Sequence, residues 1–181
     1  MTKTQTSLDD VLRPDPRFGV LLIDMQDFFL EELSDSDRRR IIESQGEVLE
    51  HCAAKDIPVA VVEYEWHRYN ADRTIPKLRK RVLEVPRHRY LRKDSDDCFL
   101  YTRLDETLRE WGVRHSFLMG VNASACVMVT GRSALRHGFK IATSSDVIAD
   151  QASCKYTESS IEWYRKNGLF TDSCLRLFSQ L

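Results

Sequence analysis

The sequence predicts an α/β protein, a central and mostly parallel sheet of about five or six strands covered by helices on both faces. Two observations carry this. Short continuous apolar runs rich in branched residues read as strands buried on both faces, and stretches with helical spacing of apolar residues separate them. The first run is Phe18 to Ile23 (FGVLLI), bounded by Pro16 and by the polar residues after Asp24. The second is Ile57 to Val62 and the third Phe117 to Val121, with shorter strand candidates at His88 to Leu91 and Phe139 to Ala142. A helix is expected over Ser36 to Ala54, opened by Ser and Asp cap candidates. Another is expected over Thr102 to Trp111, where Leu104, Leu108 and Trp111 share a face before Gly112. A third runs from about Ser124 to His137 and stops at Gly138, a residue suited to the C′ position. The tail predicts a helix around Glu158 to Lys166, then a short strand or docking helix.

With 181 residues and no linker, repeat or low-complexity segment, residues 1–181 are expected to form a single domain. Hydrophobic residues at 42% and charged residues at 30% describe an ordinary globular chain rather than a disordered one. A formal net charge of -1 removes any whole-protein electrostatic reason to expect nucleic acid or an anionic membrane as partner. The first sixteen residues hold no apolar stretch suited to a signal peptide, and no apolar run is long enough to span a bilayer. The expectation is a cytoplasmic protein with a small-molecule substrate.

Cys52, Cys98, Cys126, Cys154 and Cys174 are odd in number, widely spaced and free of any CxxC pattern. Neither a disulfide framework nor a zinc site follows, so a role for any one of them must come from its surroundings. Ligands in open parallel α/β sheets bind beyond the carboxyl ends of the strands, which directs attention to Asp24, to Glu65–His67, to Lys93 and to Asn122–Cys126. Cys126 falls where a buried strand turns into a helix, and the N–H groups and dipole of a first helical turn favour a thiolate. Asp24 ends an apolar strand, a costly place for a carboxylate that lacks a partner. Lys93 closes the basic stretch RHRYLRK and by itself carries little information.

Three blocks together resemble the isochorismatase-like cysteine hydrolases, a family that includes nicotinamidases, N-carbamoylsarcosine amidohydrolases and isochorismatases. They are LLIDMQDFF (Leu21 to Phe29), KDSDDCFLYTRL (Lys93 to Leu104), and GVNASACV (Gly120 to Val127) followed by TGRSALRHGFKIATSSDVIAD. They occur in the family's order and span about Phe18 to Asp150. The resemblance implies a three-layer α/β/α Rossmann-like fold and a catalytic set of Asp24, Lys93 and Cys126. It also implies a cis peptide at Val121–Asn122, which would aim the backbone N–H groups of Asn122 and Cys126 at one point as an oxyanion hole. In the implied mechanism Asp24 accepts the Cys126 proton, Lys93 helps hold thiolate and carboxylate in their charged forms, and the thiolate attacks a substrate carbonyl.

The residues expected to contact substrate are Phe28, Trp66 and Asn122. Metal-dependent nicotinamidases carry Asp-Trp-His after the second strand and a further His, where this chain reads Glu65-Trp66-His67 and has no matching later His. Two ligands make an incomplete site, so no metal and no other cofactor is expected. Arg73, Lys77, Arg79, Lys80, Arg81, Arg87, Arg89 and Arg92 read mainly as a solvated face, though they keep a carboxylated substrate in play. Cys98 takes a position that is usually small and is given no catalytic role. The activity implied is hydrolysis of a C–N bond in a small amide or carbamoyl compound through a thioester. The alternatives are isochorismatase-like cleavage of a vinyl ether, or a non-catalytic binding protein on the same fold. By family analogy alone, a homo-oligomer, dimer or tetramer, is expected.

Overall fold

Phe18–Ile23 forms the first strand, β1, because every one of its six residues is buried and only an extended segment inside a sheet can bury both faces at once. A computed structural model of the chain describes residues 18–65 and 73–178. Around β1 the strands are β2 (Val59–Tyr64), β3 (His88–Lys93), β4 (His115–Val121), β5 (Lys140–Ser144), β6 (Ile148–Ala149) and β7 (Leu169–Thr171). Their order is β3-β2-β1-β4-β5-β7, with β6 extending the edge of β4 beyond the end of β5. All of these strand pairings are parallel.

The helices are α1 (Asp27–Leu30), α2 (Asp35–Lys55), α3 (Pro76–Val82), α4 (Leu104–Glu110), α5 (Met128–Arg136), α6 (Thr157–Asn167) and α7 (Cys174–Phe178). A π-helical turn, Ala123–Val127, leads into α5. Helices cover both sides of the sheet. On one side α2 packs against α3 and α7; elsewhere α6 packs against the π-helical turn. Among the described residues no helix is long and apolar enough to cross a membrane.

The sheet has seven strands: the five expected, the short strand weighed for the tail as β7, and β6 from the Ile148–Ala149 pair. The two residues of β6 are too few to display a pattern of their own. The tail supplies both of the elements weighed for it, the strand β7 and the helix α7. Two other strands run past their expected ends. β2 starts after Pro58 and continues through Glu63 and Tyr64, because Glu63 Oε1 accepts hydrogen bonds from Thr74 N and Oγ1 at 2.9 and 3.0 Å. β3 extends to Lys93, since an edge strand tolerates the charged Arg92 and the last residue finds a buried acidic partner. The cap of α2 is Ser34, two residues before the expected start; its hydroxyl accepts the Asp37 N–H at 3.1 Å. α5 ends as expected at Gly138, which takes φ +86.

Gly120 fixes how closely β1 and β4 approach. It pairs with Ile23 and adopts φ +144, and a Cβ there would lie 2.1 Å from the Ile23 carbonyl oxygen. Gly120→Ala is therefore expected to lower unfolding free energy by on the order of 3 kcal/mol, measured by urea denaturation. A wild-type midpoint would contradict this close approach.

Candidate active site

The sheet order reverses between β1 and β4. The chain runs outward from β1 to β2 and β3, then returns to place β4 on the other side of β1. In an open parallel sheet this switch point leaves a crevice at the strands' carboxyl ends. Asp24 follows β1, Lys93 is the last residue of β3, and Cys126 lies in the turn after β4.

Each of these side chains is held by its local backbone. Asp24 adopts φ +54, an uncommon conformation for a residue other than glycine. It is fixed there by its N–H to Val62 O at 3.0 Å and by Gln26 N–H to its own carbonyl at 2.8 Å. Gln26 then extends the sheet with its side chain: Nε2 donates to Tyr64 O at 3.0 Å and Oε1 accepts from Tyr64 N at 2.7 Å. This amide does for the end of β2 what a further residue of β1 would have done.

Lys93 crosses above β2 to reach Asp24. Its Nζ lies 2.8 Å from Asp24 Oδ2, and both side chains are fully shielded from solvent. The Tyr64 ring lies beneath the ammonium, 5.0 Å from nitrogen to centroid, and adds a cation–π attraction. Val121–Asn122 is a cis peptide. After it the chain enters the wide π turn, in which the carbonyl of Asn122 accepts N–H bonds from both Ala125 and Val127 at 3.1 Å. Asp150 supports this turn, accepting from Ser124 N at 2.8 Å, Ser124 Oγ at 2.9 Å and Thr157 Oγ1 at 3.0 Å. Tyr164 Oη also donates to the Ala123 carbonyl at 2.7 Å.

Electrostatics at the thiol differ from the sequence expectation. Burial pushes the Cys126 thiol above its ordinary value, the Asp24 carboxylate pushes it further, and Lys93 pulls it back only in part. The pull toward thiolate expected from a first helical turn is thus outweighed by desolvation, and the resting sulfur keeps its proton. Burial likewise raises Asp24, opposed by the charge of Lys93, which makes it a better proton acceptor than a surface carboxylate. For Lys93, burial works against the charge, but the charge and hydrogen bond of Asp24 oppose it and the amine stays protonated. The thiol donates toward Asp96 Oδ1 at 3.6 Å, so a second carboxylate faces the sulfur.

The remaining expected residues fall into separate places. Phe28, on α1, is 44% exposed and meets Phe29 edge to face, and Phe29 in turn meets Tyr64. Asn122 Oδ1 is buried without a hydrogen-bond donor among the described residues. Trp66 and His67 lie outside the described residues. Glu65 forms an ion pair with Arg92 at 2.5 Å. No group of three or more His, Cys, Asp or Glu among the described residues is placed to hold a metal. The basic stretch is largely neutralised: Arg73 pairs with Glu63, Arg81 with Glu50, Arg87 with Asp56 and Arg89 with Glu110. Sequence reasoning missed Asp96, hidden in the polar run DSDD, and Asp150, whose part is to hold the turn and not to meet the thiol.

Fold and placement define a parallel α/β protein whose candidate active site sets a thiol beside a buried acid–lysine pair at the switch point. Residues 19–170 match the isochorismatase domain, and the chain belongs to the isochorismatase family. It is 28% identical over 140 residues to a streptothricin hydrolase from Streptomyces noursei, covering 74% of this chain and 55% of that protein. The chain thus spans about half the length of this curated relative. Among solved structures, a nicotinamidase from Staphylococcus aureus superposes with a TM-score of 0.74 at 18% identity, over 85% of this chain and 96% of the other. A ribonuclease from Caenorhabditis elegans superposes with a TM-score of 0.80 at 17% identity, over 93% and 83%. At these identities the structures share the fold alone.

Because the resting thiol is protonated, alkylation of Cys126 by iodoacetamide should keep accelerating as pH rises past the ordinary thiol value of 9.0. Peptide mapping of the labelled protein across a pH series measures this. A rate that is already level at neutral pH would mean a preformed thiolate.

Proposed function

We propose that the chain is a cysteine-dependent hydrolase that cleaves a C–N bond of a small amide or carbamoyl compound through a thioester. The observation that carries this reading is the shielded Lys93–Asp24 pair, 2.8 Å apart, acting on the buried Cys126 thiol. A carboxylate whose proton affinity is raised by burial is suited to take a proton from a thiol at the moment of attack. Family membership and the similarity to a streptothricin hydrolase support hydrolytic chemistry. The same fold in a nicotinamidase supports an amide as substrate, and the same fold in a ribonuclease shows why the fold alone does not decide it.

In the proposed cycle the Cys126 proton passes to Asp24 as Sγ bonds to the substrate carbonyl carbon. The backbone N–H groups of Asn122 and Cys126, presented by the cis peptide and the π turn, stabilise the resulting oxyanion. As the C–N bond breaks, Asp24 returns the proton to the departing nitrogen and a thioester remains. Water then attacks the thioester while giving its proton to Asp24. The C–S bond breaks, the acid leaves, and the sulfur recovers its proton. Lys93 stays protonated throughout, limiting the cost of a carboxylate in this dry site. A vinyl-ether cleavage would need no thiol, and a binding protein would need no buried acid–lysine pair beside one, so both alternatives leave the arrangement of Cys126 and Asp24 without a purpose.

Cys126→Ala is expected to reduce turnover of the best amide found by ammonia-release screening by at least about 10³-fold, with an unchanged circular dichroism spectrum. Acid-quenched intact-mass spectra of the wild type should show an acyl adduct on the Cys126 peptide. Near-normal turnover by Cys126→Ala would overturn the mechanism.

A further inference from the structure

The thiol is fronted by a carboxylate that the proposed cycle does not use. Asp96 lies on the loop after β3, is exposed, and places Oδ1 3.6 Å from Cys126 Sγ. Its loop is pinned from the other side. Thr130, buried on α5, donates to the Asp96 carbonyl at 3.5 Å and accepts the Cys98 N–H at 3.1 Å, while Ser95 and Asp97 bond to one another within the loop. The carboxylate is therefore held toward the sulfur instead of trailing into solvent. Among the described residues Asp96 makes no ion pair, whereas its neighbour Asp97 pairs with Arg136 at 3.5 Å.

Among the described residues the charge around the thiol does not balance. Lys93 and Asp24 cancel each other, and Arg92, the nearest arginine in sequence, is taken by Glu65. Among the described residues that leaves Asp96 as a negative charge at the sulfur without an ion-pair partner. Asn122 Oδ1, at the cis peptide four residues before Cys126, adds a buried acceptor that has no donor among the described residues. A buried acceptor without a donor, beside a carboxylate without an ion-pair partner, favours a ligand that brings N–H groups or positive charge.

We infer that Asp96 is a specificity-determining residue which selects a cationic, N–H-rich amide and turns away carboxylated ones. The inference deepens the reading above and rests on Cys126 as the nucleophile. On binding, the positive group of the substrate replaces the thiol proton as the partner of Asp96, which frees the Sγ–H to turn toward Asp24. Asp96 touches the substrate's charge and exchanges no proton with it. The carboxylated substrate that the basic stretch had kept in play is disfavoured, because Arg73, Arg81, Arg87, Arg89 and Arg92 are each paired with an acid and the group next to the sulfur is a carboxylate.

The test uses two methanethiosulfonates of similar size on the full chain, one bearing a trimethylammonium group and one a sulfonate, with labelling of Cys126 followed by peptide mapping. Each rate is divided by that of free cysteine in the same buffer, which removes intrinsic reactivity. The cationic reagent should be preferred at Cys126 by at least about tenfold. This preference should fall most of the way to unity in Asp96→Asn, and in the wild type it should shrink in about 1 M salt. A preference near unity in the wild type, one unchanged in Asp96→Asn, or a Cys126 that neither reagent reaches would overturn the inference. The readout needs no turnover, so a charge-selective thiol that hydrolyses no amide would sink the proposed function while leaving the charge preference set by Asp96 standing.

Discussion

The ion pair between Lys93 and Asp24 ties the edge of the sheet to its centre, because β2 lies between the strands that carry them and the lysine must cross above it. Both groups have given up water. Such a pair contributes little net stability, yet breaking it by removing one partner costs roughly 3–5 kcal/mol, since the survivor is left charged and dry. The fold can hold the pair only if the ends of β1, β2 and β3 keep register. Gln26 secures this by pairing its side-chain amide with both backbone groups of Tyr64. Glu63 binds Thr74, and Ile75 N–H reaches the Met25 carbonyl, so the chain returning after β2 is fastened to the same strand ends.

On the other side of the switch point the demands are steric. Gly120 lets β4 lie against the carbonyl of Ile23, and the π turn beyond it carries Cys126 to the acid–lysine pair. Asp150 and Tyr164, from β6 onward, hold that turn through Ser124 and Ala123. Burial raises the proton affinity of both thiol and carboxylate, and the charge of the carboxylate raises that of the thiol further. The site therefore rests as a thiol and an ion pair, and the cost of forming a thiolate is deferred until a substrate carbonyl can accept the sulfur.

Much of this is legible in the sequence because the strongest signals coincide with the strongest constraints. Buried on both faces, β1 and β4 read as continuous apolar runs, and the rule that ligands sit beyond strand ends points to Asp24, Glu65–His67, Lys93 and Asn122–Cys126, a set that includes the three groups the fold brings together. What escapes are features set by partners distant in the chain. The ends of β2 and β3 look polar until Thr74 and Asp24 appear beside them. The two residues of β6 have no periodicity to read. The protonation state of Cys126 depends on burial and on a carboxylate about a hundred residues away, and the local helix-terminus argument alone gives the opposite sign. Asp96 is one acid in a polar run, and only the fold shows which of those acids faces the sulfur.

Burial first, and then the charge of Asp24, keep the proton on Cys126. The most direct measurement of this control is an ultraviolet titration of thiolate absorbance in the wild type and in Asp24→Asn, each taken as a difference against the same protein carrying Cys126→Ser to isolate one thiol. Since the carboxylate raises the thiol and Lys93 lowers it, removing the carboxylate alone should move the Cys126 titration to lower pH. A titration that stays in place or moves to higher pH would contradict the account, because the charge of Asp24 would then not add to burial in keeping the sulfur protonated.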